Sequence, residues 1–304
     1  MSHHHHQTPR IVGLGVLLLM LPALALAADT DDAYEAEIDA WYAARVERLT
    51  APDGWLTLIG LFWLQEGPNT MGSGASSQIL LPADKAPGHV ATLEKSGGRV
   101  ELVAAPGADL SRDGRAVTRM TMLPDTSGEP TILDIGDLQF FVIERGDRLG
   151  LRVRDRQSPR RFDFPGIERF PVDPRWRIEG TLERHDPPQT IPIPNVLGTV
   201  AQEPSPGTLV FDFDGHTYRI DALPASDDRL YLIFADATSG RETYGGGRFL
   251  YSDPVQPDGS VVADFNKAYN PPCAFTDFAT CPLPPRQNKL AVRIEAGEKK
   301  YGDH

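Results

Sequence analysis

Along this chain the spacing of apolar residues changes from a helical to a strand-like period. Tyr34, Ile38, Trp41, Tyr42, Arg45 and Leu49 recur at helical intervals, with Glu35, Glu37, Asp39 and Glu47 on the other faces. That pattern predicts one amphipathic helix, ended by the turn composition Thr50-Ala51-Pro52-Asp53-Gly54. Trp55 to Leu64 is almost wholly apolar. It is too short to cross a bilayer and reads as a strand buried on both faces, with its tryptophans in the core. Short β-prone or alternating runs follow at Gln78–Leu81, His89–Lys95, Arg99–Ala104, Thr118–Leu123, Leu138–Glu144 and Leu149–Asp155. Ser96-Gly97-Gly98, Asp113-Gly114 and Gly146-Asp147 punctuate them as hairpin turns.

Arg156 to Arg175 interrupts this rhythm with five arginines (Arg156, Arg160, Arg161, Arg169, Arg175) and four prolines. It is expected to connect two β regions, its arginines balancing nearby carboxylates or, alternatively, gripping an anion. Further strands are expected at Trp176–Glu183, Thr190–Asn195, Thr208–Phe213, His216–Ile220, Leu230–Ala235, Phe249–Tyr251 and Val261–Phe265. No second long helical pattern appears. The expected class is therefore all-β: one N-terminal helix, then two β-sandwich or barrel-like regions, residues 28–155 and 156–304.

The first residues read as a targeting signal. Arg10 precedes the apolar run Ile11–Leu21, Pro22 breaks it, and Ala25-Leu26-Ala27 offers a small-x-small cleavage site. Residues 1–27 are then a signal peptide, the mature protein is periplasmic or secreted, and no stable membrane span remains. The His3–His6 run would leave with the signal and is set aside as a functional feature. The chain has 304 residues and a formal net charge of −12, which argues against nucleic acid as a partner, since that needs a basic face. Its two cysteines, Cys273 and Cys281, lie close in sequence. In an oxidising compartment they are expected to form a disulfide, worth about 2–3 kcal/mol in the chain-entropy view.

Three stretches carry a resemblance. They are Gly54-Trp55-Leu56-Thr57-Leu58, the run Asp236 to Leu250 with Glu242-Thr243-Tyr244-Gly245-Gly246-Gly247-Arg248, and Asp264-Phe265-Asn266-Lys267-Ala268-Tyr269-Asn270-Pro271-Pro272-Cys273 with Cys281-Pro282-Leu283-Pro284-Pro285, Asn288 and Gly297-Glu298-Lys299. Together they resemble the bacterial and archaeal family known as domain of unknown function 1684, over nearly the whole mature chain. The resemblance implies a shared fold and assigns no activity. Glu66 to Ser73, Ser76 to Pro82 and Gly88-His89-Val90 also resemble a forkhead-associated β-sandwich. Ser73 stands where that domain's phosphate-binding Arg belongs, and Gly114-Arg115 replaces its Asn-Gly. The likeness thus implies the scaffold without the phosphothreonine grip, leaving His89 a structural role.

Candidate chemistry concentrates in two segments. Asp264 to Cys273 follows a strand-like run and ends in two prolines, so its polar groups are held rigidly. Asp236 to Arg248 adds hydroxyls, carboxylates, an arginine and glycines that permit close backbone approach. The expected ligand-binding residues are Thr238, Ser239, Tyr244, Arg248, Asn266 and Asn270. The same side chains equally suit loops that satisfy their own backbone. A Ser–His hydrolase lacks a suitably placed histidine and a Gly-x-Ser-x-Gly elbow. Asn270-Pro271-Pro272 is similar to an amino-methyltransferase motif, but Cys273 replaces its stacking aromatic. No metal-ligand spacing and no cofactor motif appear. The expectation is an exported binding module for a small molecule, glycan or peptide. The alternatives are a carboxylate hydrolase using Glu242 and Asp264, or a purely structural protein.

Overall fold

The computed structural model describes residues 1–2 and 23–302, with side chains in the helix from residue 32 onward. The expected signal run Ile11–Leu21, Arg10, His3–His6 and His304 lie outside the described residues. Among the described residues strands take 43% and helix 15%, so the protein is mainly β. No helix among the described residues is long and apolar enough to cross a membrane.

Helix α1 (Ala23–Thr50) buries Ile38, Tyr42, Arg45 and Leu49, the stripe its spacing predicts. The chain then runs through β1 (Leu58–Trp63), β2 (Gly67–Gly72), β3 (Ile79–Leu80), β4 (Ala91–Ser96), β5 (Arg99–Ala104), β6 (Ser111–Arg112), β7 (Arg115–Ala116), β8 (Arg119–Thr121), β9 (Ile132–Ile135), β10 (Leu138–Arg145) and β11 (Arg148–Asp155). Two sheets result, ordered β1-β11-β10-β9-β6-β7 and β3-β2-β4-β5-β8. Their inner faces share one core, in which Met71, Leu93 and Leu102 pack with Leu133, Phe140 and Leu151. This is a β-sandwich, its register set by apolar cross-strand pairs such as Phe140 opposite Val153. The expected strand at Trp55–Leu64 starts instead as a 3₁₀ turn, Trp55–Thr57, before β1. β1 is an edge strand paired only with β11, and its residues are a mixture of buried and half-buried, so it is not buried on both faces. Trp55 and Trp63 are half-buried and carry Arg152 and Arg148 over their rings.

A short α2 (Pro159–Phe162) opens the connection. Here the arginines mostly serve structure: Arg156 pairs with Asp134, Arg169 with Asp39 and Arg175 with Asp173, while Arg161 donates to the Thr50 carbonyl at the end of α1. The second sheet system contains β12 (Arg177–Pro194), β13 (Val200–Phe213), β14 (His216–Pro224), β15 (Leu230–Phe234), β16 (Arg248–Tyr251) and β17 (Ser260–Asp264), ordered β16-β15-β14-β13-β12-β17. The sheet curls until its ends approach, where the Asp253 N–H donates to the Val262 carbonyl at 2.8 Å. Trp176 stacks on Phe213 at 4.2 Å inside the curl, beside Phe211, Phe234 and Phe265. The strands expected at Trp176–Glu183 and Thr190–Asn195 are one, β12. Its Pro187-Pro188 pair sits in a register irregularity between Arg184 and Gln189, which spares the ladder the missing donors.

Candidate functional site

The C-terminal half of α1 lies against the segment that follows the curled sheet, and helix and sheet enclose a cleft of about 420 Å³. Trp41, Arg45 and Arg48 line it from the helix. Arg229, Tyr251 and Asp253 line it from the β15–β16 side, and Asp264, Lys267 and Tyr269 from the segment after β17. Four basic side chains thus face two acidic ones, in a protein whose overall charge is −12.

Arg45 is the centre of the arrangement. It is 8% exposed, and a buried guanidinium requires a counter-charge. Glu298, 0% exposed, supplies it: Arg45 Nε donates to Glu298 Oε1 at 3.0 Å, and Nη2 donates to the Asn270 carbonyl at 2.9 Å. The Asn270 N–H holds the other carboxylate oxygen at 2.7 Å. The guanidinium lies 4.7 Å from the Tyr269 ring centre. Nη1 makes no hydrogen bond among the described residues, so donors on this clamped group remain for the cleft. At the rim, Arg48 and Arg229 are exposed and make no ion pair among the described residues. Tyr251, 44% exposed, stacks on Tyr231 at 4.8 Å and lies near-parallel to Tyr269 at 6.3 Å.

Asp264 closes the opposite wall. Its Oδ1 accepts from Tyr34 Oη at 2.8 Å and from the Asn266 N–H at 3.1 Å, tying α1 to the sheet. Burial and the Asp264 carboxylate push the Tyr34 phenol well above its ordinary range, so it stays a donor. Asp264 Oδ2 has no hydrogen-bond partner among the described residues and lies 3.6 Å from Lys267 Nζ.

Of the residues singled out from sequence, only Asp264 lines this cleft. Glu242 is bound to Arg293 at 2.7 Å, which holds its carboxyl below the usual range, and the two carboxylates share no partner. Arg248, expected to bind ligand, is buried and bound to Asp236 at 2.9 Å and to the Ile294 and Ala296 carbonyls, its Nε left without a partner among the described residues. Thr238 and Ser239 donate to the same Asp236 carboxylate. That segment is a sealed knot around a buried ion pair, because each buried charge must be neutralised where it sits. Tyr244 packs against the buried cluster of Leu49, Leu56, Ala274 and Phe275. Gly247 serves chain packing rather than ligand approach: a Cβ there would lie 2.5 Å from the Phe234 carbonyl oxygen. Asn266 donates to Tyr34 Oη and the Asp173 carbonyl, while Asn270 Nδ2 donates to the Lys299 carbonyl. Both brace the cleft wall.

Cys273 and Cys281 are free thiols, where a disulfide was expected. They are held face to face by reciprocal bonds: each backbone N–H donates to the other's sulfur, at 3.1 and 3.3 Å. His89 lies on the sandwich surface, with its ring within hydrogen-bond distance of Thr92. Among the described residues no three His, Cys, Asp or Glu side chains gather as a metal site. One cue to the cleft was legible beforehand, Arg45 on the apolar stripe of α1, since a charge there demands a buried partner.

Residues 162–299 match the family described as Protein of unknown function (DUF1684). An uncharacterised protein of Haloarcula marismortui, solved in solution by NMR, is 34% identical, covering 47% of this chain and 81% of its own, with a TM-score of 0.39. The chain belongs to the DUF1684 family. The DUF1684 match contains Arg229, Tyr251, Asp253, Asp264, Lys267 and Tyr269 but not α1, so six of the nine lining residues come from the matched segment and three from the helix. Two forkhead-associated domains align at 15% identity and TM-score 0.23, each over 31% of this chain. One comes from a study of phosphothreonine-dependent interactions and covers 92% of that domain. The other is the FhaA domain in complex with an intracellular domain, covered to 97%. No curated protein matches the chain.

Proposed function

We propose that this DUF1684 protein is a binding module for a small, ring-bearing anion, held in the cleft between α1 and the curled sheet. The observation that carries the reading is Arg45: a buried guanidinium, oriented by Glu298 and the Asn270 carbonyl, with donors left over beside an exposed aromatic surface. Preorganised in this way, it binds a carboxylate or phosphate without losing side-chain entropy at the moment of binding. Arg48 and Arg229 at the rim add attraction, and Tyr251 and Trp41 offer ring faces for a sugar or aromatic group. The cleft volume suits a monosaccharide-sized ligand.

The test is thermal shift followed by calorimetry against uronic acids, aromatic carboxylates, sugar phosphates and their neutral counterparts. Anionic members are expected to raise the melting temperature, with affinity falling as salt rises and falling again in Arg48→Ala/Arg229→Ala. Equal binding of neutral and anionic members, or no shift with any class, counts against the reading. Export belongs to the same proposal. The cut after Ala27 suggested by Ala25-Leu26-Ala27 leaves in place every α1 contact described above, all of which come from Tyr34 onward. N-terminal sequencing of protein recovered from the periplasm or medium tests it; an intact N-terminus on protein confined to the cytoplasm rejects it.

A further inference from the structure

The loop from Cys273 to Cys281 is anchored on three sides. Ala274 and Phe275 pack with Leu49 and Leu56, while Cys281 and Ala279 pack with Ile191, Ile233 and Phe249. On the third side the sandwich reaches in. Arg152 of β11 donates to the Phe278 carbonyl and Thr280 Oγ1, and Arg145 of β10 donates to the same Thr280 oxygen. The loop therefore joins the two β regions and presents both sulfurs to each other across its neck.

Arg152 is a buried cation on this third side. It is 4% exposed and pairs with no carboxylate among the described residues, meeting only neutral oxygens and the Trp55 ring. A buried cation is costly; Arg145 opposes its charge, while Asp125 and the thiols within its field favour it. The thiols are also unequal. Cys273 is half-buried and Cys281 buried. The bond from Cys281, with Arg152 helping, lowers the Cys273 thiol, whereas sharing that proton and burial push the Cys281 thiol up.

The geometry points to a reversible dithiol–disulfide couple in which Cys273 attacks, Cys281 resolves, and Arg152 positions and stabilises the attacking thiolate. The oxidant is a disulfide-bearing partner, either a small-molecule disulfide or an oxidised protein dithiol. Cys273 Sγ⁻ attacks one sulfur of that disulfide, forming a mixed disulfide and releasing one thiolate. Cys281 then loses its proton and attacks Cys273 Sγ, expelling the second thiolate. The two cysteine protons end on the two released thiolates, so the protein loses two hydrogens and the oxidant gains them. The product is a covalent clamp on the loop that joins the two β regions.

The experiment equilibrates the full chain in glutathione buffers of graded redox poise, quenches with acid, alkylates and measures intact mass. The expected result is a form two hydrogens lighter that resists alkylation, melts higher, and is reversed by dithiothreitol. In Cys281→Ser, glutathione disulfide is expected to leave one stable adduct, on Cys273. In Cys273→Ser, Cys281 is expected to stay unlabelled until denaturant is added. In the Cys281→Ser background, Arg152→Gln is expected to slow iodoacetamide alkylation of Cys273 about tenfold, with Arg152→Lys restoring most of the rate. Wild-type protein that remains fully alkylatable at both cysteines across the oxidising range overturns the proposal. So does Cys273 alkylation indifferent to both Arg152 variants.

Discussion

The Arg45–Glu298 pair is the contact whose removal speaks most directly to how the cleft is held. Glu298→Gln preserves shape and volume but not the acceptors. The carboxylate now receives Arg45 Nε on one oxygen and the Asn270 N–H on the other. Glutamine offers one oxygen and one NH₂, so a donor must face a donor, and Arg45 keeps its charge with nothing to balance it. Stranding one donor costs about 1–3 kcal/mol. Removing one partner of a buried ion pair costs about 3–5 kcal/mol in all. For a protein of this size that corresponds to a melting temperature lower by roughly 10 °C. The assay is equilibrium urea unfolding, with the change read from the midpoint at constant slope. Arg45→Met/Glu298→Leu is expected to recover part of the loss, since an apolar replacement of both partners leaves no orphaned charge. A loss below about 1 kcal/mol in Glu298→Gln, or a double variant as weak as the sum of the singles, would show that the pair does not hold the cleft.

Two further outcomes follow from local geometry. Gly297 has φ +78, and a Cβ there would lie 2.4 Å from the Ala268 carbonyl oxygen and 2.8 Å from that of Phe265. Gly297→Ala is therefore expected to cost about 2 kcal/mol or more in urea unfolding, against about 1 for Gly97→Ala, where φ is +55 but the space is open; equal costs would show that the close approach is relaxed in solution. Lys267 lowers the Glu37 carboxyl and Arg175 lowers that of Asp173, both chiefly through their hydrogen bonds. Their contribution is present above the ordinary carboxylate range and lost as pH falls through the lowered values. The melting temperature is thus expected to decline below about pH 4, less steeply in Lys267→Met. A decline centred near neutrality would contradict it.

The periodic features were legible in the chain itself. The stripe Ile38-Tyr42-Arg45-Leu49 specifies a helix with one buried face, and alternation broken by Asp113-Gly114 or Gly146 specifies hairpins, because these depend only on neighbours within a few residues. The mainly-β class and the arginine-rich connection follow from the same local chemistry. What side chains do once buried does not. Arg248 and Arg45 are both arginines beside carboxylates, yet one is sealed in a knot with Asp236 and the other is clamped with donors to spare. That difference rests on Glu298, far along the chain from Arg45, which only tertiary packing brings into contact. Likewise the spacing of Cys273 and Cys281 is written in the sequence, whereas Arg152 beside that loop comes from another sheet. Local propensity sets the elements. Long-range neutralisation of buried charge decides which polar residues brace the fold and which keep donors free.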